Sequence, residues 1–292
     1  MTLVSGFEKI VRTSEPLAPH TWFRLGGPAQ FFAEPNNLEE LAALVRRCRE
    51  EEVPVRLLGG GSNILVRDDE VEGMIVRIAA PAFTDIGVSD QTVSAGGGAK
   101  LGHVISTSVR EGLAGLEALV GIPGTIGGAL HGNAGSRGGD IGQWTCQATV
   151  MTRSGEIIQR SREELVFAYR QSSLDELAIL SAQFKLESDD PEDLTKRMQK
   201  QWIVKKANQP LGHQSAGCIF KNPRGMSAGM LIEQAGLKGA RVGQAEVSDR
   251  HANFFVAAPG ATSADVLNLI ELVSARVSER LGIDLEREIE IW

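Results

Sequence analysis

The chain has 292 residues, 42% of them hydrophobic and 23% charged, with a formal net charge of −7. That length suffices for a sizeable core and for more than one domain, while the acidic balance excludes a general nucleic-acid binder, which needs a basic excess against phosphates. No stretch approaches the ~20 unbroken apolar residues of a membrane span, the opening MTLVSGFEKIVRTSEP lacks the marks of a signal peptide, and three scattered cysteines (Cys48, Cys146, Cys218) form no CxxC pair, so a reducing, cytoplasmic setting without membrane insertion is expected.

The first organised unit runs from Phe31 to Arg77. Asn37-Leu-Glu-Glu40 reads as a capping box, and Leu38, Leu41, Ala42, Val45 and Cys48 then recur at helical spacing. Pro54 ends that helix. Val55 to Leu58 reads as a buried strand, followed by the loop Gly59-Gly60-Gly61-Ser62-Asn63 and a second apolar run, Ile64 to Val66. MIVRI and TVSAG read as short strands within residues 71–100. A helix is expected from Gly102 to Gly112, with Val104, Ile105, Ser108 and Val109 inward and Gly112 as its stop.

A second glycine-dense tract holds Gly121, Ile122, Pro123, Gly124, Thr125, Gly127 and Gly128 and continues to Gly135. Its glycine and small residues read as too thin and polar for a core element. Residues 145–188 read as strands, including ATVMTRSG and LAILSAQFKLES, on either side of Phe167-Ala-Tyr-Arg170. Asp190 and Pro191 open a charged helix to about Lys206, the expected connector into a last domain. There, Cys218-Ile-Phe220, a short helix after Ser227, a strand in HANFFVAA, a strong helix from Thr262 to Gly282 and an edge-like LEREIEIW complete an α+β chain.

Consecutive glycine N–H groups in Gly59 to Asn63 can point into one anion, with Ser62 and Asn63 adding donors. A plain glycine turn remains the alternative. The loop is neither the dinucleotide fingerprint, whose GxGxxG opens a helix, nor a GxxxxGK phosphate loop. A second tract, Gly121 to Gly135, tilts the balance towards backbone lying against a large phosphate-containing cofactor. Cys218 alone reads as a buried, inert thiol. Lys206, Lys221 and Asn222 nearby in sequence change that, because cationic surroundings make a thiol a better proton donor or nucleophile. Arg170 alone reads as a surface arginine and Glu288 as a solvated carboxylate. The histidines at 20, 103, 131, 213 and 251 form no HExxH or close pair, so no catalytic metal is expected.

Together, TWFRLGGPA, LLGGGSNILV, EALVGIPGTIGGALHGNAGS, FAYRQSSL, SAGCIFKNP, AGMLIEQAGLKGARVGQAEVS, HANF and DLEREIEI resemble, in order, the UDP-N-acetylenolpyruvoylglucosamine reductase (MurB) family. The resemblance covers nearly the whole chain. It implies two FAD-binding subdomains of the vanillyl-alcohol oxidase (PCMH) type, at residues 1–66 and 67–189, and a C-terminal α+β substrate-binding domain at 190–292. It implies non-covalent FAD held by the two glycine tracts, NADPH as co-substrate and a UDP-sugar as substrate. Arg170 and Glu288 match the family's carboxylate-polarising positions, and Lys206 (with Lys205 beside it), Asn222, Tyr169 and His251 match or neighbour substrate contacts. The compact Tyr169-Arg-Gln-Ser-Ser-Leu segment and HANF resemble the second subgroup, without an extra tyrosine loop. Cys218 departs from the family's usual serine, and the expectation is that its thiol donates the proton to the substrate's α-carbon.

Three other readings stand beside this one. An FAD-dependent oxidase of the same superfamily would share the glycine tracts without needing Cys218, Asn222 and Glu288. A thiol hydrolase pairing Cys218 with His213 or His251 leaves both tracts unexplained. A sugar-nucleotide or flavin carrier would have no use for a cation pair and a proton donor.

Overall fold

The computed structural model describes residues 3–136 and 138–292, so Met1 and Thr2 of the opening segment lie outside the described residues. The chain forms two compact units. The first holds the described residues up to Ser14, with Gln30–Gly60 and Glu72–Ile203; the second holds Glu15–Ala29, Gly61–Val71 and Val204–Trp292.

The first unit is built on two sheets. One has four strands in the order Val11–Pro16, Pro28–Ala33, Val71–Val76, Val55–Leu57, the last two parallel with Val55 opposite Met74. Helix α1 (Leu38–Glu50) buries Leu41, Leu44, Val45 and Cys48 with Met74, Val76, Met151 and Leu180. Its cap is Asn37, whose side chain accepts the Glu40 N–H at 2.9 Å. The expected box is not closed on Asn37, because the Glu40 carboxylate accepts from the backbone and side chain of Asn36 instead. Burial pushes the Cys48 thiol up to about 11, the mark of an inert core cysteine.

The second sheet of this unit is antiparallel, ordered Ile157–Ser161, Thr145–Met151, Ala178–Lys185, Thr92–Gly96, Ile86–Ser89. Helix α2 (Leu101–Arg110) lays Val104, Ile105 and Val109 into a core with Val93, Ala148, Val150 and Phe184. Gly112 follows at φ +68°, the left-handed conformation that suits a helix stop.

The tract from Gly121 to Gly135 corrects one expectation. Its middle is a short helix, α3 (Ile126–His131), capped by Thr125, and Ile126, Ala129 and Leu130 belong to the core. The misreading has a physical source: the glycines hide an i, i+3, i+4 apolar set, and they let the helix approach backbone closely, a Cβ on Gly127 falling 3.2 Å from the Gly97 carbonyl oxygen.

Helix α4 (Pro191–Asn208) buries only Leu194, and Trp202, Ile203 and Val204 stand exposed. In the second unit, α5 (Ala228–Gln234) and α6 (Ser263–Leu281) accompany an antiparallel sheet of Arg241–Val242, Ala245–Val247 and Phe255–Ala257. Val266, Leu269, Ile270, Val273 and Val277 of α6 pack with Ile219, Phe220, Val247 and Phe255. The start of α6 is pinned by Asp68, whose carboxylate accepts from the Ser263 backbone at 3.0 Å and hydroxyl at 2.8 Å.

Two strand expectations shrink. HANFFVAA is extended only at Phe255–Ala257, and LEREIEIW only at Glu290–Ile291, which pair in parallel with Ile64–Leu65. Glu288 therefore precedes the terminal strand. Among the described residues no helix is long and apolar enough to cross a membrane, and no group of three or more ligand-type side chains could hold a metal ion.

Candidate active site

In the first unit the two glycine tracts meet. Leu58, bonded to the Val76 carbonyl at 2.9 Å, leads the chain into Gly59 and Gly60. A Cβ on Gly60 would lie 2.7 Å from the Gly124 Cα, and one on Gly59 would lie 2.9 Å from Thr125 Oγ1. Only backbone without a side chain permits this approach. A third run, Gly96-Gly97-Gly98, joins them and was read from sequence only as a strand end. Gly97 accepts the Gly127 N–H at 2.8 Å, and Leu101 donates to Gly124 at 3.0 Å. The signal was present as three consecutive glycines after TVSA.

The fit of a polyphosphate cofactor can be tested on these amides. Among the described residues, the backbone N–H groups of Gly59, Gly60, Gly121, Gly124 and Thr125 meet no acceptor in the protein. These residues are only half-buried. Such donors gathered where two glycine tracts touch suit an anion with many oxygens. Gly61, Ser62 and Asn63 belong to the second unit, where Gly61 accepts from Trp22 and Asn63 Nδ2 donates to the Glu288 carbonyl at 3.1 Å.

Also in the first unit, Tyr169 and Arg170 form the tip of a hairpin in which Phe167–Ala168 pairs with Gln171–Ser172. Arg170 adopts φ +55°, an uncommon backbone conformation for a side chain of its size. Its Nη1 donates to the Gly135 carbonyl at 3.1 Å, and its guanidinium lies 5.3 Å from the centre of the exposed Tyr169 ring. Asn133 supports the hairpin from the glycine tract. It is 2% exposed; its Nδ2 donates to Ala168 at 2.8 Å and its Oδ1 accepts from Gly142 at 3.0 Å.

The second unit gathers Cys218, Glu288, Asn222 and His251 around one short segment. Cys218 is half-buried and forms an antiparallel bridge with Phe254. The next residue, Ile219, accepts the Glu288 N–H at 2.8 Å, which holds the Glu288 backbone against the residue that follows Cys218. Asn222 Oδ1 accepts from the Ala228 N–H at 2.9 Å, at the start of α5. His251 packs edge-on to Phe254 at 4.9 Å, and its Nδ1 accepts the Asn253 N–H at 3.3 Å. Burial lowers the His251 pKa below the ordinary imidazole value, with the Lys238 charge adding to that and Glu233 opposing it. Lys205 and Lys206 sit in the last turn of α4, Lys206 exposed. Asn253 is 2% exposed, and the sequence leaves open whether it or His251 touches substrate.

Comparison with known proteins bears on both units. The family model described as UDP-N-acetylenolpyruvoylglucosamine reductase, C-terminal domain, matches residues 209–292, and an FAD binding domain model matches residues 29–161. The chain is 43% identical over 284 residues to UDP-N-acetylenolpyruvoylglucosamine reductase 2 of Symbiobacterium thermophilum, covering 97% of this chain and 92% of that one. It is 42% identical to the reductase of the same name from Heliobacterium modesticaldum, covering 95% and 89%. The crystal structure of the Thermus caldophilus reductase superposes with a TM-score of 0.82 at 37% identity, over 97% of this chain and 98% of that one. BBE-like 1 of Physcomitrella patens, at 17% identity and a TM-score of 0.50 over 64% and 45% of the two chains, shares the fold alone. The fold is thus an FAD-binding domain of the PCMH type followed by a reductase C-terminal domain.

Proposed function

The chain belongs to the UDP-N-acetylenolpyruvoylglucosamine reductase family, and on that premise we propose which of its residues carry out the reduction and how. It is an FAD-dependent oxidoreductase of peptidoglycan synthesis. That membership sets aside the oxidase, thiol hydrolase and carrier readings, none of which accounts for both matched regions. The finer reading is that UDP-N-acetylglucosamine enolpyruvate is reduced to UDP-N-acetylmuramate in the cytoplasm, at the expense of NADPH.

FAD, when bound, would supply the two-electron hydride chemistry that links NADPH to the β-carbon of the enol ether. The backbone N–H groups of Gly59, Gly60, Gly121, Gly124 and Thr125, with Ser62 and Asn63, would hold its pyrophosphate without covalent attachment, and Ile122, Pro123, Gly127 and Gly128 would line its ring. Hydride addition leaves negative charge on the α-carbon, delocalised into the adjoining carboxylate. Arg170 places a permanent cation against that carboxylate. Glu288 is the second residue that polarises that carboxylate. Cys218 then transfers its Sγ proton to the α-carbon, forming the C–H bond and leaving a thiolate that solvent reprotonates. An ordinary thiol, with a pKa near ~8.5, is mostly protonated at neutral pH and far more acidic than serine's hydroxyl. Lys206, Asn222, Tyr169 and His251 contact the nucleotide sugar, and the compact hairpin supports the reading of a subgroup without an extra tyrosine loop.

The observation that supports this assignment most directly is the Ile219 carbonyl accepting the Glu288 N–H at 2.8 Å, because it holds the backbone of the proposed carboxylate partner against the residue that follows the proposed donor. The test is an anaerobic titration of the flavin-loaded protein. NADPH should bleach the flavin spectrum, and the enolpyruvyl nucleotide sugar should restore it. Recovery with oxygen alone would overturn the substrate.

A further inference from the structure

We infer that Asn253 is a positioning residue for proton delivery, clamping the segment that carries Cys218 and acting on the reaction only through that thiol; the inference rests on the reading of Cys218 as donor. Cys218 follows Gly217, whose backbone sits at φ +78°. Cys218 itself bridges Phe254, so the aim of the thiol is set together with the residues that follow it. The downstream residues are held on both flanks. On one flank Ile219 accepts from Glu288 at 2.8 Å, Lys221 donates to Glu286 at 2.8 Å, and Phe220 bridges Arg287.

On the other flank Asn253 does the holding. Its carbonyl accepts the Ile219 N–H at 2.9 Å, its Oδ1 accepts the Phe220 N–H at 2.9 Å, and its Nδ2 donates to the Phe220 carbonyl at 2.8 Å. A strand would normally supply such paired bonds. Here the chain turns at His251–Phe254, where the Phe254 N–H closes back on His251 at 2.9 Å, so the backbone cannot continue the ladder. The asparagine amide replaces it, with donor and acceptor at the spacing of a peptide group. Asp would keep the acceptor and lose the donor, and Ala would lose both. A buried amide satisfied at both ends is costly to remove. If stability were its whole purpose, its loss would weaken both half-reactions together.

The test uses the FAD-loaded protein in anaerobic stopped flow, reading flavin reduction by NADPH and reoxidation by the enolpyruvyl nucleotide sugar separately. Asn253→Ala should leave the reduction rate within about twofold and slow reoxidation by about 10- to 100-fold, the scale set by a misplacement near 1 Å. Reoxidation should also show a larger solvent deuterium isotope effect than in the parent. Asn253→Asp, close to isosteric, should show the same selective slowing to a smaller degree and serves if the alanine variant does not fold. In a Cys218→Ala background, Asn253→Ala should slow reoxidation no further. An equal further loss in that background overturns the inference, as does parallel loss of both half-reactions. If Cys218→Ala itself reoxidises at the parent rate, the donor reading is the one that fails, and Asn253 has no proton delivery to position.

Discussion

Gly60 and Gly124 stand so close that a Cβ on the first would lie 2.7 Å from the Cα of the second. The contact joins two tracts 64 residues apart in sequence (124 − 60), and it sets the spacing of the amides proposed to hold the cofactor.

Gly60→Ala should therefore push the tracts apart. Overpacking of this kind costs about 1–3 kcal/mol, and the displaced amides should weaken FAD binding at least about tenfold. Equilibrium titration with FAD, followed by flavin fluorescence, measures it. Gly102→Ala is the control: nothing lies within 4 Å of its Cβ position, and it faces solvent on α2. That change should raise stability by about 0.5–1 kcal/mol. Unchanged FAD affinity in Gly60→Ala would separate the contact from the cofactor site.

The parts that were legible in sequence and those that were not differ by range. Helices α1 and α6 could be read because Asn37 and Thr262 cap apolar sets repeating every three or four residues. Helix α3 was hidden because its core residues Ile126, Ala129 and Leu130 are interleaved with glycines. Glu288 reads as a strand residue because LEREIEIW alternates, whereas Leu285 and Ile289, four residues apart, are the side chains turned inward. The long-range bonds of the two buried asparagines could not be read. Asn253 bonds Phe220 across 33 residues and Asn133 bonds Ala168 across 35, pairings that no local pattern encodes.

Asn133→Ala should lower stability by about 1–3 kcal/mol, since it leaves the buried Gly142 N–H without its acceptor and removes the bond to the Ala168 carbonyl. Urea denaturation checks the magnitude. Because Ala168 precedes the hairpin tip, the same variant should raise KM for the nucleotide sugar while leaving NADPH bleaching intact. A stability loss with unchanged KM would confine Asn133 to the fold.

His251 predicts a pH dependence of stability. Burial depresses its pKa, so the unfolded chain takes up a proton more readily than the folded one. Its contribution is complete above the unfolded value of about 6.5 and is lost as pH falls from there through the lower folded value. Protonation at Nδ1 would also end its acceptance of the Asn253 N–H. The melting temperature of the parent should drop between pH 7 and 5 by more than that of His251→Gln. Parallel curves for the two proteins would remove His251 as the titrating group.

Cys218 offers the sharpest chemical prediction, because a thiol and a hydroxyl can both donate a proton whereas a methyl cannot. Cys218→Ser should keep reoxidation of the flavin by the enolpyruvyl nucleotide sugar within about 10- to 100-fold of the parent, slower because the hydroxyl is the weaker acid. Cys218→Ala should lose about 100-fold or more beyond the serine variant, the contribution of a positioned acid. Alkylation of the half-buried thiol should act as Cys218→Ala does, blocking reoxidation and sparing reduction by NADPH. The comparison is decisive because all three changes leave the clamp made by Asn253 on Ile219 and Phe220 in place. Equal reoxidation rates in Cys218→Ser and Cys218→Ala would mean that the proton reaches the α-carbon from another group or from water.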